Sequence, residues 1–264
     1  MDSVKNYIRA IYKTRFFWMH LAQWDLKFKF RRSKLGILWT VFQPFLLTII
    51  MSFIFGFVFK TPVSSYAPYI LSGILVWDVL NSSVIGNSYS FVAAEAYIRQ
   101  FSHPFIIYPL RNSLVSIATF IIANISLGIW TLVTQPENLI LAVFTLPLTT
   151  CLLFILSLSL SIISSHINTR YRDYPYVMAL LLQMLWYISP VFFQTSMFMS
   201  SRFLRIFFTI NPVTHLLSLV REPFLYGRLP PIGSYVYVLL IDIVCLIVAY
   251  FVNKKYEKTV IFYI

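Results

Sequence analysis

The sequence predicts an all-α polytopic membrane protein, and three observations carry that prediction. Of its 264 residues, 59% are hydrophobic and only 11% are charged, whereas a soluble domain carries about 25% charged residues. Apolar stretches of about 20 residues, long enough to cross a bilayer core of about 30 Å as a helix, recur along the chain. Nine of the 21 lysines and arginines lie before residue 36. Lipid is therefore the expected solvent for most of the chain.

The segment 1–36 is predicted to be a cytoplasmic, amphipathic interface helix and gate segment. Aromatic and aliphatic residues recur there at helical spacing among lysines and arginines. Such a helix lies in the membrane interface and is attracted to anionic headgroups. The net charge of +12 also fits a nucleic-acid-binding protein. Its concentration at one membrane flank favours lipid, so no nucleic-acid partner is expected.

The remainder, 37–264, is predicted to form one transmembrane domain with six spans. The spans are expected at about 37–59, 68–92, 108–134, 139–165, 175–194 and 233–252. With both termini in the cytoplasm, sixteen basic residues fall on the inner side and five on the outer side. This asymmetry is the one that sets orientation in inner membranes.

Two segments between the spans are predicted to be helical without crossing the membrane. Residues 93–107 form a short cytoplasmic helix that closes at His103-Pro104. Residues 195–226 form two short re-entrant or interfacial helices on the outer side. The second begins with Asn211 as its cap and Pro212 at its first position, and Pro223 is expected to limit it.

No catalytic constellation or metal site is evident in the sequence. The four histidines are scattered, and the seven glycines form no phosphate-cradling loop. Any nucleotide-driven work therefore needs another polypeptide. Intramembrane polar groups are costly; Asp78 and a face of serines at 157, 161, 164 and 165 indicate either helix packing or an ion relay. Asp242 has no partner that the sequence identifies. Arg170 and Asp173 are three residues apart and are expected to pair as a structural clamp.

An ordered set of segments resembles one known family. The set comprises Lys27–Trp39 with Pro44, Gly73 with Trp77, Arg172-Asp173, Leu182-Gln183 with Tyr187–Pro190, and Asn211-Pro212 followed by Arg221 and Gly227. In order and spacing it resembles the ABC-2 type permeases that export polysaccharides across the inner membrane. These include O-antigen (Wzm-like), capsule (KpsM-like) and teichoic acid (TagG-like) permeases.

The resemblance implies a homodimeric channel for a lipid-linked polysaccharide, with O-antigen first and capsular polysaccharide next. It implies a partner, a cytoplasmic ABC ATPase (Wzt-, KpsT- or TagH-like) in two copies, which binds ATP and magnesium. This chain would then hold no cofactor and would not itself be an enzyme.

The resemblance also assigns roles to residues of this sequence. Those expected at the inner gate and substrate headgroup are Arg31, Arg32, Lys34, Gly36 and Trp39. The aromatic residues expected to line the channel, unless they face lipid, are Trp77, Trp186, Tyr187, Phe192 and Phe193. The ATPase-coupling residues are Glu95, Tyr97, Ile98 and Phe101, and the outer-gate residues are Asn211, Pro212 and Arg221.

Three alternatives stay open at this point. The first is an ABC-2 permease for teichoic acid, a lipid or a drug, although the short outer segment argues against an exporter with large outer domains. The second is an ion-coupled secondary transporter built on Asp78 and Asp242, which the absence of inverted repeats disfavours. The third is an intramembrane enzyme, which the missing cluster of catalytic residues disfavours.

Overall fold

The computed structural model describes residues 2–29, 31, 33–101, 103–194 and 201–264, and these residues form helices joined by short connections. The α-helices are α1 (Asp2–Lys13), α2 (Arg15–Lys29), α3 (Trp39–Phe59), α4 (Val63–Val84), α5 (Ser90–Ala93), α6 (Glu95–Gln100), α7 (Ile107–Thr134), α8 (Asn138–Arg170), α9 (Tyr174–Ile188), α10 (Arg202–Ile210), α11 (Pro212–Tyr226) and α12 (Ile232–Tyr256). Short 3-10 helices cover Gly36–Leu38, Gly86–Tyr89 and Glu257–Phe262. The all-α prediction is confirmed for the described residues.

Five helical stretches are long and apolar enough to cross a membrane. They are Gly36–Phe59, Val63–Gln100, Ile107–Thr134, Asn138–Arg170 and Ile232–Phe262. Each contains one of the predicted spans. The remaining predicted span, 175–194, overlaps α9, which has only 15 residues. At about 1.5 Å per residue α9 is shorter than the hydrocarbon core, so the six-span count stays a prediction.

Two ends of the bundle can be defined from the long helices. The end that contains Arg170 and Tyr256 is called here the proximal end, and the end that contains Thr134 and Asn138 is called the distal end. α8 and α12 reach the proximal end together, because His166 Nε2 lies 3.1 Å from Asn253 Oδ1.

The segment 174–193 passes through most of the depth of the bundle. Near the proximal end, the Tyr174 and Ser164 hydroxyl oxygens are 2.7 Å apart. Past the end of α9, the Phe192 carbonyl accepts a hydrogen bond from the Tyr66 hydroxyl, which lies in the first turn of α4 at the distal end. The chain therefore reaches the distal side by combining a short helix with the turn at 189–193.

α11 starts inside the bundle and ends at the distal end. Its first residues, Pro212 and Val213, line an apolar cavity between α4, α8, α9 and α12. Its last turn is followed by Gly227 at φ 60°, where a Cβ would overlap the Asn138 side chain. Glycine adopts this left-handed backbone without strain, and a larger residue would also have to displace the Asn138 amide.

The predicted end of this helix at Pro223 is wrong, because α11 continues to Tyr226. Proline has no amide hydrogen to donate to the carbonyl four residues earlier, which here belongs to Leu219. The Thr149 hydroxyl of α8 supplies a donor to that carbonyl at 3.4 Å. A side chain from another helix thus takes over a hydrogen bond that the sequence of α11 cannot make.

The predicted helix at 93–107 is shorter than expected. α5 and α6 follow closely on α4, and helical structure ends at Gln100, before the extended Phe101. The N-terminal segment is helical as predicted but is divided at Thr14, whose hydroxyl donates to the carbonyls of Ala10 and Ile11. Both segments lie at the proximal end.

A polar seam joins α4, α7 and α8 in the proximal half of the bundle. Ser83 Oγ donates to Ser157 Oγ at 2.7 Å. The Asn87 side-chain amide donates to Ser161 Oγ at 2.9 Å and to Ser116 Oγ at 3.2 Å. These contacts favour the packing interpretation of the serine face over an ion relay, because the hydroxyls are used between helices.

We expect Asn87→Leu to lower the stability of the purified protein in detergent by about 1–2 kcal/mol, because it removes two interhelical hydrogen bonds. Asn124→Leu is the matched control. Asn124 donates only to its own helix, at Phe120, and its side-chain oxygen has no partner among the described residues. Thermal unfolding measures both variants, and an equal loss in the two would contradict a stabilising role for the seam.

Candidate functional site

The buried side chain of Arg221 joins three separate segments in the distal half. Its guanidinium donates to the carbonyls of Pro190 at 2.7 Å, Val191 at 2.8 Å and Tyr69 at 3.1 Å. Its Nε donates to Ser72 Oγ at 3.3 Å. The residue is only 6% exposed. α4, the turn after α9 and α11 are therefore held by one cation bound to carbonyl dipoles.

Two neighbours of Arg221 complete this arrangement, which we call the Arg221 node (Tyr69, Ser72, Gly73, Pro190, Val191 and Arg221). The guanidinium carbon lies 3.6 Å from the centre of the Tyr69 ring, in a cation–π contact. A Cβ on Gly73 would lie 2.7 Å from the Val191 carbonyl oxygen and 3.0 Å from an Arg221 nitrogen. Glycine at position 73 is therefore required by space.

The residues predicted at the outer gate lie in the Arg221 node or at the start of the helix, α11, that carries Arg221. Asn211 caps α11, since its side-chain oxygen accepts from the Val213 amide at 2.9 Å. Its side-chain amide donates to Ser189 Oγ at 2.9 Å. Pro212 takes the first helical position as predicted. The segment 195–200, assigned to the first gate helix, lies outside the described residues.

The aromatic residues predicted to line the channel are brought together, but they are not equally exposed. Trp77 and Trp186 make an edge-to-face contact at 5.0 Å, and Phe192 lies 5.3 Å from Phe193. Trp77 and Phe193 are buried within the chain, whereas Tyr187 is 61% exposed. Tyr187 therefore has the ring that is most available to a ligand, to lipid or to another chain.

A polar groove opens beside the predicted inner gate. It has a volume of about 200 Å³ and is lined in part by Lys29, Trp39, Gln43, Asp78 and Ser82. Trp39 thus lies beside the intramembrane carboxylate that the sequence singled out. In the proximal half of the bundle, the groove thus brings together a lysine, a carboxyl group, a side-chain amide and a hydroxyl group.

Of the other inner-gate residues, Arg31, Lys34 and Gly36 lie on the link between α2 and α3. Arg31 lies over the Phe28 ring at 5.8 Å, and Lys34 is exposed. Gly36 adopts φ 53°, and its amide donates to Ser33 Oγ at 3.3 Å. Arg32 lies outside the described residues. This link presents basic side chains next to the polar groove.

Of the four residues predicted for ATPase coupling, three are at least partly exposed and the fourth, Ile98, is buried. Glu95 pairs with Arg99 at 2.9 Å on the exposed side of α6. Tyr97 and Phe101 are both partly exposed, and both contact the ring of Phe17 in α2, at 6.1 Å and 6.3 Å.

Ile98 anchors α6 in a small apolar cluster. The cluster consists of Phe91, Ala94, Ile98, Ile107, Tyr108 and Val260. α2 is tied to α7 nearby, because Arg111 Nε lies 2.8 Å from Asp25 Oδ2. Burial raises the pKa of the Asp25 carboxyl, and the Arg111 charge acts in the opposite direction. Displacement of α6 would therefore act on both α2 and the start of α7.

Sequence reasoning missed the role of the C-terminal segment 253–264. Glu257 Oε1 accepts from the Tyr7 hydroxyl at 2.6 Å and from the Phe105 amide at 3.1 Å. The Asn253 amide also donates to the Tyr7 hydroxyl, at 3.1 Å. Burial and the Glu257 carboxylate raise the pKa of the Tyr7 phenol. The available signal was an isolated acid among Lys254, Lys255 and Lys258.

The predicted clamp between Arg170 and Asp173 is not formed. Among the ion pairs of the described residues, none joins these two side chains. The Arg170 guanidinium instead lies 5.6 Å from the Tyr171 ring and 5.8 Å from the Tyr263 ring. Arg172 donates to the Tyr263 carbonyl at 2.9 Å. The loop after α8 is thus fastened to the C-terminal segment, which sequence spacing could not reveal.

These features together define a class: a polytopic helical membrane protein in which many of the described polar groups lie at helix contacts, in cavities and at the ends of the bundle. The described residues contain no cluster of three or more His, Cys, Asp or Glu side chains that could hold a metal ion. The chain belongs to the ABC-2 type transporter membrane family, whose model matches residues 17–225.

Curated relatives cover most of the chain. An O-antigen export system permease protein RfbA from Klebsiella pneumoniae is 27% identical over 78% of both chains. The protein of the same name from Myxococcus xanthus is 23% identical over 84% of this chain and 85% of its own. The polysialic acid transport protein KpsM from Escherichia coli is 24% identical over 90% of this chain and 92% of its own.

We expect Arg221→Met to destabilise the protein by about 3–5 kcal/mol, because it leaves buried carbonyl groups of the 190–191 turn without a donor. Arg221→Lys keeps the charge but lacks the planar fork, so an intermediate loss is expected. Arg228→Met is the control, since Arg228 is exposed and makes only surface contacts with Glu222 and the Tyr226 ring among the described residues; its effect on stability should be small. Equal unfolding temperatures for the Arg221 and Arg228 variants would contradict the node.

We expect Glu257→Ala to increase amide hydrogen exchange in α1 and in the 103–106 loop, because both are held by the same carboxylate oxygen. Glu257→Gln keeps an acceptor oxygen and should retain most of the protection. Glu137→Ala, an exposed acid at the distal end, serves as the control. Unchanged exchange in the Ala variant would show that the C-terminal segment does not hold these elements.

Proposed function

We propose that this chain is the transmembrane permease subunit of an ATP-driven ABC exporter that moves a lipid-linked polysaccharide out of the cytoplasm. The observation that carries the proposal is the similarity, over 78% to 90% of the chain, to relatives named for O-antigen export and for polysialic acid transport. An O-antigen is the first candidate substrate and a capsular polysaccharide is the second.

The proposed topology has six crossings with both termini in the cytoplasm. Segment 174–193 supports the sixth crossing, since it connects the proximal end to Tyr66 at the distal end. An even number of crossings places both termini on one side, and the basic N-terminal flank favours the cytoplasm of an inner membrane. The exposed rings of Tyr12, Phe16, Trp24 and Phe28 would then lie in the membrane interface.

The energy source in this proposal is a separate cytoplasmic ABC ATPase in two copies, which binds ATP and magnesium. The exposed side of α6, with Glu95 and Tyr97, is its proposed contact. Closure of the ATPase would push on α6, and the push would reach α2 through Phe17 and α7 through the short connection after α6. A shift of packed helices of this kind is a known way to open a passage.

A homodimer of this chain would enclose the passage. α9 supports this arrangement with an exposed stripe of Tyr176, Leu180, Met184 and Tyr187, spaced three or four residues apart. Rings and thioether groups on such a stripe suit contact with sugar faces. At the proximal side, Arg31, Arg32 and Lys34 would attract the anionic headgroup of the lipid carrier, and Gly36 and Trp39 would border its entry.

We expect deletion of the gene to abolish surface polysaccharide and to cause lipid-linked polymer to accumulate inside the cell. In complemented cells, Tyr97→Ala should reduce export severalfold at unchanged protein abundance, because it removes the ring that links α6 to α2. Tyr89→Ala, another exposed tyrosine, is the matched control. The measurement is the amount of glycan at the surface and inside the cells of each strain. Normal surface polysaccharide in the deletion strain would refute export, and normal export by Tyr97→Ala would refute coupling through this ring.

A further inference from the structure

A second polar cavity lies at the distal end, away from the groove beside the inner gate. It occupies about 470 Å³ between the beginning of α4, the end of α7 and the end of α11. That volume falls within the range of about 300–1,000 Å³ that is usual for small-molecule sites.

The side chains around this cavity have the chemistry of a site for neutral, hydroxyl-rich molecules. Hydroxyl and amide groups form one part of the lining, and aromatic rings form another. Among the described residues none that lines it is charged. The polar groups are those of Ser64, Ser65, Thr131, Thr134, Gln135 and Gln194.

Thr131 gives an independent sign that a ligand is accommodated here. It is only 2% exposed, lines the cavity, and its hydroxyl has no hydrogen-bond partner in the described part of the chain. A buried hydroxyl without a partner is unfavourable. Rotation of the Thr131 side chain about its Cα–Cβ bond would let this hydroxyl pair with a hydroxyl group of a molecule bound in the cavity.

The walls of the cavity are held in place before any ligand binds. Trp130 Nε1 donates to the Ser64 carbonyl at 3.3 Å and joins α7 to α4. The Asn138 amide donates to Gln135 Oε1 at 2.9 Å and to the Phe224 carbonyl at 3.4 Å. The Arg221 node holds Tyr69 from behind. A preorganised lining loses little freedom on binding.

We propose that this distal cavity is a binding subsite for uncharged sugar units of the transported glycan. The proposal rests on the function proposed above and narrows it to a neutral polymer. Sugar hydroxyls would pair with the hydroxyl and amide groups, and a sugar face would pack on the partly exposed Tyr226 ring. A neighbouring guanidinium, that of Arg228, lies 5.3 Å from the centre of the Tyr226 ring and is already paired with Glu222. A carboxylate in this cavity would therefore lose hydration without gaining an unpaired cation, so an acidic polymer such as polysialic acid is disfavoured.

The test uses the purified full-length protein in lipid nanodiscs. The probes are delipidated oligosaccharides released from the surface polysaccharide of the cells that produce this chain, and a sialic acid tetramer. We expect the cell-derived fragments to bind and the sialic acid tetramer to bind much more weakly. Thr131→Val and Tyr226→Ala should each weaken binding by about three- to tenfold. Tyr226 is exposed, so Tyr226→Ala is expected to leave the fold intact.

The controls are Thr145→Val, a buried threonine of α8 that donates to its own helix, and Tyr89→Ala, an exposed tyrosine at the proximal end. Unchanged affinity in both test variants, equal losses in the controls, or equal binding of the sialic acid tetramer would overturn the subsite. An acidic composition of the native polymer would also overturn it. The strain that lacks the gene distinguishes failure of the export function from failure of the subsite. Surface glycan that persists in this strain refutes export itself. Loss of export in this strain, together with unchanged oligosaccharide binding by the Thr131 and Tyr226 variants, refutes only the subsite.

Discussion

The buried guanidinium of Arg221 is the constraint on which the distal half of the structure depends. A charge removed from water needs compensation, and among the ion pairs of the described residues none includes Arg221. Carbonyl oxygens of two different segments and the face of the Tyr69 ring provide it. Only arginine offers several N–H donors in one plane. The positions of α4, the turn after α9 and α11 are therefore set together.

Polar chemistry of a different kind holds the proximal half. There the helices are joined by neutral hydroxyl and amide contacts, such as Ser83 with Ser157 and Asn87 with Ser161. Beyond the helix ends, Glu257 connects α1 to the loop that follows α6. α6 also contacts Phe17 of α2. A displacement of α6 would therefore be transmitted to the neighbouring helices and would not be absorbed by a free loop.

The long helices could be predicted from the sequence, whereas the contacts between helices could not. Five spans follow from length and hydropathy, and the Asn211 cap follows from local chemistry. The continuation of α11 beyond Pro223 depends on Thr149 from another helix, which no local pattern indicates. The resemblance pointed to Arg221, but its burial depends on carbonyls distant in sequence. The predicted Arg170–Asp173 pair is also absent among the described ion pairs, and the Arg170 guanidinium lies near the rings of Tyr171 and Tyr263.

α9 is held at its two ends and packs loosely against the rest of the bundle between them. Both of its ends are fixed, by Tyr174 against Ser164 and by the turn that Arg221 binds. Between them, within α9, only Pro175 and Leu182 are buried, and a stripe of apolar side chains faces outward. A helix held at its ends and loosely packed along its length can tilt at low energetic cost. Its surroundings, lipid or a second copy of the chain, must therefore decide how far Tyr187 and its neighbours stand from the bundle axis.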